Sequence, residues 1–300
     1  MHGTMAPTAA EAELPAETPV RHHSYLSVVF LRFIRQPIPM AAAVILLVIA
    51  LAAIGADVIA PHDPYQTRVA RRLAQIGTAD RWLGGDELGR DVLSRLIYGG
   101  RISLTMAIVP VAIGLFVGGF LGILAGYAGG RVNMAIMRGM DVFYAFPSIL
   151  LAVAIAGALG PGLENGIIAL ALVFIPPIAR MAESVTTQVR EYEFVIAARL
   201  SGASTFRILR EHILANVAGP ILVFASSQVS VSIIAASGLS FLGLGVAPPQ
   251  ADWGLMLSAL RQAIYSNPWV AALPGAMIFI CSMCFNLVSD GIRRSMEVRR

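Results

Sequence analysis

Charge is scarce in this chain of 300 residues. Only 13% are Asp, Glu, Lys or Arg, and lysine is missing altogether, so all 22 basic residues are arginine. Without lysine, a Gly-x-x-x-x-Gly-Lys-Ser/Thr loop that cradles nucleotide phosphates is excluded. Cysteine is nearly absent too. Cys281 and Cys284 lie three apart in an apolar run with no His or carboxylate beside them, which reads as two small apolar fillers and not as a metal or redox pair. None of the five histidines falls in an apolar run, so the polar constellation that a membrane-embedded enzyme needs is not seen. Ionisable side chains are also missing from the middle of every such run: Asp57, Asp141 and Asp290 all stand at ends. A proton- or ion-coupled transporter keeps such a group near the midplane. Energy for transport would therefore enter from outside the spans. No basic stripe with interleaved aromatics occurs, so the net charge of +4 does not indicate nucleic acid.

What the chain has in abundance is apolar surface: 57% of residues are hydrophobic and the mean hydropathy is +0.73. That composition predicts an all-α, polytopic membrane protein in contact with the lipid bilayer. Residues 1–20, with Glu11, Glu13 and Glu17 among Ala, Pro and Thr, read as a disordered tail. They lack the basic start of a signal peptide, and the first apolar run reads as a retained anchor. A helix needs about 20 apolar residues to cross the hydrocarbon. Runs at Ile38–Ala56, Ile102–Tyr127, Val142–Leu159, Ile167–Ala179, Val217–Val246 and Pro268–Ser289 give six transmembrane helices, the fourth being short and interrupted by Pro176-Pro177. Arg21, Arg32 and Arg35 precede the first run, and Arg293, Arg294, Arg299 and Arg300 follow the last. Both termini are therefore expected in the cytoplasm. Loop 61–101 carries seven Arg against this, but also five acids, and is outvoted. The predicted organisation is a cytoplasmic tail 1–36, a first transmembrane helix 37–60, an extracytoplasmic loop 61–101, a five-helix core 102–290 with a cytoplasmic loop 184–216, and a cytoplasmic tail 291–300.

Two stripes stand out inside the runs. Gly114, Gly118, Gly122 and Gly126 recur every four residues, a pattern that lets another helix approach closely. Ser226, Ser230, Ser237 and Ser240 share one face at 100° per residue. In lipid they must face protein or water, either lining a polar pathway or packing on a neighbouring helix. Between two runs lies the charged, amphipathic segment Glu191–Asn216. Its first part, to Leu200, has no breaker, with Phe194, Ala197 and Ala198 among its apolar positions. Gly202 can then take a left-handed cap conformation, and Ser204 is an N-cap candidate for a second helix. There Phe206, Leu209 and Ile213 are expected to share a face, with Arg207 and Glu211 four apart on another. The pair reads either as a docking surface or as two helices lying on the headgroups.

This segment resembles the EAA loop of ABC-importer permeases, in Ala197-Ala198, Gly202 and Ile213-Leu214; Ile196 stands where the family often has Glu, and Ala215 where it often has Pro. Leu83-Gly84-Gly85-Asp86-Glu87-Leu88-Gly89-Arg90-Asp91 is similar to the signature of the C-type subunit of dipeptide, oligopeptide and nickel importers, with Gly85 in place of the usual Thr. Leu239–Gly245 with Pro248 and Trp253-Gly254, then Pro268-Trp269, Pro274-Gly275, Asn286-Leu287 and Asp290-Gly291, extend the resemblance over about residues 30–294. It implies the type I ABC-importer permease fold in a bacterial inner membrane. It also implies a homologous second permease subunit, two ATP-binding subunits and a periplasmic or lipoprotein substrate-binding protein, forming an importer of di- or oligopeptides. Nickel, glutathione or other small solutes are the alternative cargo, and a stand-alone secondary transporter is a further one. The chain would have no catalysis and no cofactor of its own, ATP being used by its partners. Glu193, Ala197, Ala198, Arg199, Gly202, Ala203, Arg207 and Ile213 would form the ATPase-coupling loop. Gly84, Asp86, Gly89, Arg90, Asp91 and Arg95 would lie on the outer face near the pore, pairing with one another to hold the loop. Ser226, Ser230, Ser237 and Ser240 are the candidate pathway-lining residues.

Overall fold

A chain in hydrocarbon must satisfy its own backbone hydrogen bonds, and this one does so with helices. The computed structural model describes residues 25–296; what was expected of residues 1–20, Arg21, Arg299 and Arg300 lies outside them. The helices are α1 (Tyr25–Ile34), α2 (Pro37–Ile54), α3 (Ala56–Ile59), α4 (Val92–Ala128), α5 (Gly130–Tyr144), α6 (Ser148–Leu159), α7 (Leu163–Arg190), α8 (Glu193–Leu200) and α9 (Thr205–Arg207). Then come a π-helical turn at Ile208–Leu214, α10 (Ala215–Phe241), α11 (Trp253–Ala259) and α12 (Pro268–Met296). No β-strand occurs among the described residues.

Five of these helices are long and apolar enough to cross a membrane: α2, α4, α7, the continuous Thr205–Phe241 and α12. The sixth crossing departs from the expected Val142–Leu159. Phe146 precedes Pro147, which disfavours helical backbone there, and the crossing is made by α5 and α6 together, bent by 85° at the break. Alone, α6 has 12 residues and spans about 18 Å, short of the roughly 30 Å of hydrocarbon. The fourth run departs in the opposite sense. Pro176 and Pro177 do not interrupt it; α7 continues for 28 residues. Two expected boundaries also move. The first ten residues of α4 occupy 92–101, assigned to the outer loop, and the last turns of α7 occupy 184–190, assigned to the coupling loop.

Six traverses leave α1 and the end of α12 at the same end as α8. There Gln36 Nε2 donates to Ser295 Oγ at 2.9 Å and to Gly291 O at 3.3 Å. At the opposite end, residues 60–91 pack on the start of α4 and on the 246–270 segment.

The two prolines lie beside the seam between α4 and α7. Each proline removes one backbone donor and leaves a carbonyl of the previous turn without its partner. Leu170, Phe174, Ile178 and Ala182 repeat every four residues on α7 and are buried. The glycine stripe of α4, with the same repeat, meets them at backbone distance, rows of equal spacing interdigitating. A Cβ on Gly118 would stand 2.5 Å from Ile175 O, and one on Gly122 would stand 2.2 Å from Ala179 O. A Cβ on Gly126 would stand 2.7 Å from Glu183 O. Lipid supplies no hydrophobic force between helices, so such close packing is what holds them. Gly119, one residue off the stripe, has nothing within 4 Å of its Cβ position.

Gly122→Leu should therefore lower the thermal unfolding midpoint of the detergent-purified chain, overpacking costing about 1–3 kcal/mol or more. Gly119→Ala should stay within about 0.5 kcal/mol of the parent. Equal effects from the two, measured as thermal loss of the monodisperse chromatographic peak, would contradict the seam.

Candidate functional site

The Arg190 end is built from a helix that stops, turns and restarts. α7 ends at Arg190, and Tyr192, in extended backbone, starts α8. Arg190 NH1 donates to Gly126 O at 2.9 Å, placing its charge on the C-terminal carbonyls of α4. Arg199 stands over the Tyr127 ring, 5.8 Å from its centroid. α8 buries only Val195. At its end Gly202 has φ +79°, Gly202 N donates to Arg199 O at 3.1 Å, and Ala203 N donates to Ala198 O at 3.1 Å. This pair of bonds is the Schellman arrangement, and Ala198 and Ala203 pack together on the core beneath it. Ser204 caps the next helix by accepting from Arg207 N.

In the second helix the structure departs from the expected face. Ile208–Leu214 is π-helical, so residues five apart stack, and Ile208 and Ile213 are both buried. Leu209 is half-buried, and Phe206, expected to share a face with Ile213, is 73% exposed. Leu200 is 83% exposed, and Phe194 and Ile196 are exposed beside it. Ile196 and Leu200 share one exposed side of α8 and Phe194 stands on its flank, with Glu193, Arg199 and the Arg207–Glu211 ion pair of 3.0 Å exposed around them. Of the expected coupling residues, Glu193, Ala197, Arg199, Gly202 and Arg207 are exposed. Ala198 and Ala203 pack on the core beneath them, and Ile213 is core. Phe206 was not singled out as a surface residue because an i, i+3, i+7 reading assumes an uninterrupted α-helix, and Ile196 and Leu200, apolar residues within a helix, carry no sign of exposure.

At the opposite end the segment 60–91 is folded around two carboxylates. Asp86 Oδ1 accepts from Leu88 N and Arg90 N, both at 2.9 Å, and Oδ2 accepts from Arg90 Nε at 2.6 Å with Arg95 Nε 3.6 Å away. Asp91 caps α4, accepting from Ser94 N at 2.9 Å and Ser94 Oγ at 2.6 Å. Arg81 reaches Asp91 at 3.8 Å. Arg95 ties α4 to two other strips of chain, donating to Pro64 O at 3.1 Å and Gln250 O at 3.3 Å. Gly84 and Gly89 both have positive φ. A Cβ on Gly89 would stand 1.8 Å from Arg68 O. Gly85 also has a reason: a Cβ there would stand 2.3 Å from Arg71 O, so the threonine usual at this place would displace the Val69–Arg71 turn. Just outside the cluster, the Arg101 guanidinium, hydrogen-bonded to Asp57, holds that carboxyl below its ordinary range, with the Tyr98 hydroxyl adding to the effect.

Asp252 and Ser103 are buried partners that sequence reasoning missed. Ser103 Oγ donates to Asp252 Oδ1 at 2.6 Å and accepts from Trp253 N at 3.0 Å, while Trp253 Nε1 donates to Leu96 O at 2.9 Å. A buried Asp six residues past the fifth run gives no pattern for a sequence to betray.

Within this chain the serine stripe meets neighbouring helices. The hydroxyls of Ser226 and of Ser289 on α12 are hydrogen-bonded at 2.9 Å, and Ser282 Oγ donates to Ser230 O at 3.0 Å. Ser237 donates to Ile233 O, and Ser237 and Ser240 abut Gly254 of α11. The cause is that α12 and α11 cover this face of α10. The neighbouring face, with Gln228, Val231 and Ile234, borders a cavity of about 350 Å³ between α6, α7 and α10, walled by Tyr144, Phe146 and Phe174. Among the described residues no group of three or more His, Cys, Asp or Glu is placed to hold a metal ion.

Comparison with known proteins agrees with this architecture. Residues 118–300 match the family described as binding-protein-dependent transport system inner membrane component, and residues 24–75 match the N-terminal TM domain of oligopeptide transport permease C. A glutathione transport system permease of Pectobacterium atrosepticum is 40% identical over 89% of this chain and 88% of its own. A dipeptide transport system permease of Alkalihalophilus pseudofirmus is 41% identical over 82% and 81%, and a probable D,D-dipeptide permease of Escherichia coli is 40% identical over 87% and 88%. Among solved structures, the inward-facing MetNI methionine ABC transporter covers 68% of this chain and 97% of its own at a TM-score of 0.56 and 20% identity. That last likeness speaks to the fold alone. With six crossings, a capped helical elbow at one end and a carboxylate-centred loop at the other, the chain belongs to the binding-protein-dependent transport system inner membrane components, the permease subunits of bacterial ABC importers.

Proposed function

We propose that this permease imports di- or oligopeptides as half of a pore completed by a homologous second permease. ATP would be hydrolysed by two partner subunits, and substrate handed over by a periplasmic or lipoprotein binding protein. Residues 191–216 are the ATPase dock on this reading. The observation that carries it is the exposure of the large apolar side chains Leu200, Phe206, Phe194 and Ile196 among charged ones, on an elbow that Gly202 bends. A cleft on a soluble partner would cover such side chains. The dock shares its end with Arg32, Arg35, Arg293 and Arg294, which supports a cytoplasmic placement.

The arginines of the opposite loop do not weigh against this. Five of the seven face carboxylates within the fold: Arg71 with Asp80, Arg81 with Asp91, Arg90 and Arg95 with Asp86, and Arg101 with Asp57. The chain itself supplies neither a cofactor nor catalysis on this reading, since it lacks the lysine that a phosphate loop needs.

Dipeptide names recur among the relatives, which supports peptides as cargo, and glutathione transport in others makes that small peptide the second reading. The deciding experiment is uptake by proteoliposomes holding both permeases and the ATPases, with binding protein added. ATP-dependent accumulation of a labelled dipeptide is expected, and preferential accumulation of glutathione would favour the second reading. Uptake by this chain alone, without ATP, would refute the importer mechanism.

Replacing Leu200 and Phe206 with Asp should release the ATPase subunits in pull-down while membrane insertion is retained. Each buried apolar anchor at an interface is worth about 2 kcal/mol, roughly 30-fold in affinity. Gly202→Val, which forces a β-branched residue into left-handed backbone, should weaken coupling through the elbow. Unaltered ATPase retention and uptake in both variants would remove the docking role.

A further inference from the structure

The weakest-held part of the fold lies at the mouth of the cavity. α5 carries half of a crossing yet buries none of its residues. Two polar clasps bind it to α7. At its start Asn133 Nδ2 donates to Glu183 Oε1 at 2.6 Å, and the same carboxylate oxygen accepts from Thr187 Oγ1 at 3.3 Å. At its far end Arg180 NH2 donates to Asp141 Oδ1 at 2.5 Å, and Arg138 NH1 stands 4.0 Å from Asp141 Oδ2. The Arg180 guanidinium also lies over the Tyr144 ring, 4.4 Å from its centroid.

Tyr144 is the last residue of α5, at the 85° bend into α6, and it lines the cavity together with Phe143 and Phe146. Arg180 therefore touches two things at once. Its backbone belongs to α7, which runs ten residues further to Arg190 and into the docking elbow. Its guanidinium holds the residue that ends α5 at the cavity rim. Both members of the ion pair are about half exposed. Such a pair is worth about 0–1 kcal/mol, enough to bias a position and too little to lock it. A helix with few buried contacts moves at low cost, and the glycine seam leaves no such freedom between α4 and α7.

We propose that Arg180, Asp141 and Tyr144 form a latch through which movement of residues 191–216 sets the position of the α5–α6 elbow and the width of the cavity mouth. Arg180 is a positioning residue in this scheme, which rests on the docking role proposed above. The pull travels along α7, the guanidinium carries it sideways, and the aromatic rim at Phe143, Tyr144 and Phe146 shifts with it.

The test uses the reconstituted importer with Arg180→Gln, Asp141→Asn and the swap Arg180→Asp with Asp141→Arg. Uptake and ATP hydrolysis are read in the same vesicles. Each single variant should hydrolyse ATP near the parental rate yet import about fivefold less per ATP, the scale of one lost exposed pair. The swap should recover at least half of the loss. Unchanged uptake per ATP in the single variants, or a swap that recovers none of it, overturns the latch.

A second measurement does not depend on the partners. Phe146→Cys in the purified chain is labelled with a water-soluble maleimide, the two native cysteines being buried. Adding Arg180→Gln should raise the labelling rate several-fold, and an unchanged rate overturns the latch even if the importer assembles and works. Failure of the wild-type vesicles to show ATP-driven uptake would count against the importer reading, and the labelling result would still decide the latch.

Discussion

The backbone contact between α4 and α7 is the constraint on which the rest of the molecule depends. Four glycines at a spacing of four bring one helix so close to the other that Cβ atoms at Gly118 and Gly122 would overlap carbonyl oxygens of α7. Beside that contact α7 runs on past Pro176 and Pro177. A continuous α7 then delivers Arg190 to the carbonyls at the end of α4 and places α8 directly beyond. The elbow at Gly202 and the core contacts of Ile208 and Ile213 are built on that platform.

At the opposite end the work is done by charge. Asp86 and Asp91 are nearly fully buried and each is multiply bonded, to backbone amides as well as to arginine or serine. A buried carboxylate without such partners would cost several kcal/mol. The loop around Asp86 and Asp91 is thus held by donors brought from residues 62–95 and by Arg95 reaching the 249–250 strip. Arginine suits this task because its fork serves two or three acceptors at once. Counting these side chains as free positive charge would overstate the charge of the loop.

Much of this was legible in the residues, and the failures have physical causes. The glycine stripe announced a close helix contact because nothing else explains four small residues at that period, and Gly202 and Ser204 announced a cap on either side of a bend. The broken crossing was hidden because α5 carries Arg131, Arg138 and Asp141 on a face that hydropathy penalises, while Pro147 falls inside an otherwise apolar run. The exposed side of the elbow was misjudged at Phe206 because a π-turn changes which residues share a face. The serine stripe needs protein or water around it, and within this chain Ser226 and Ser230 meet α12 while Ser237 and Ser240 meet α11, a placement that no period in the sequence reveals.

The contrast between held and loosely held parts has a mechanical consequence. Where α4 meets α7 there is no room to slide without a carbonyl meeting a Cα, so the two helices move as one body. Where α5 meets α7 the hydrogen bonds come from a few polar side chains, and no residue of α5 is fully buried. A force applied at residues 191–216 therefore meets a stiff element first and a compliant one second, and displacement accumulates at the compliant joint. In this fold that joint is the 85° bend beside the cavity. A permease that draws its energy from a partner needs such a division, since a uniformly rigid bundle would transmit the push without opening, and a uniformly soft one would absorb it.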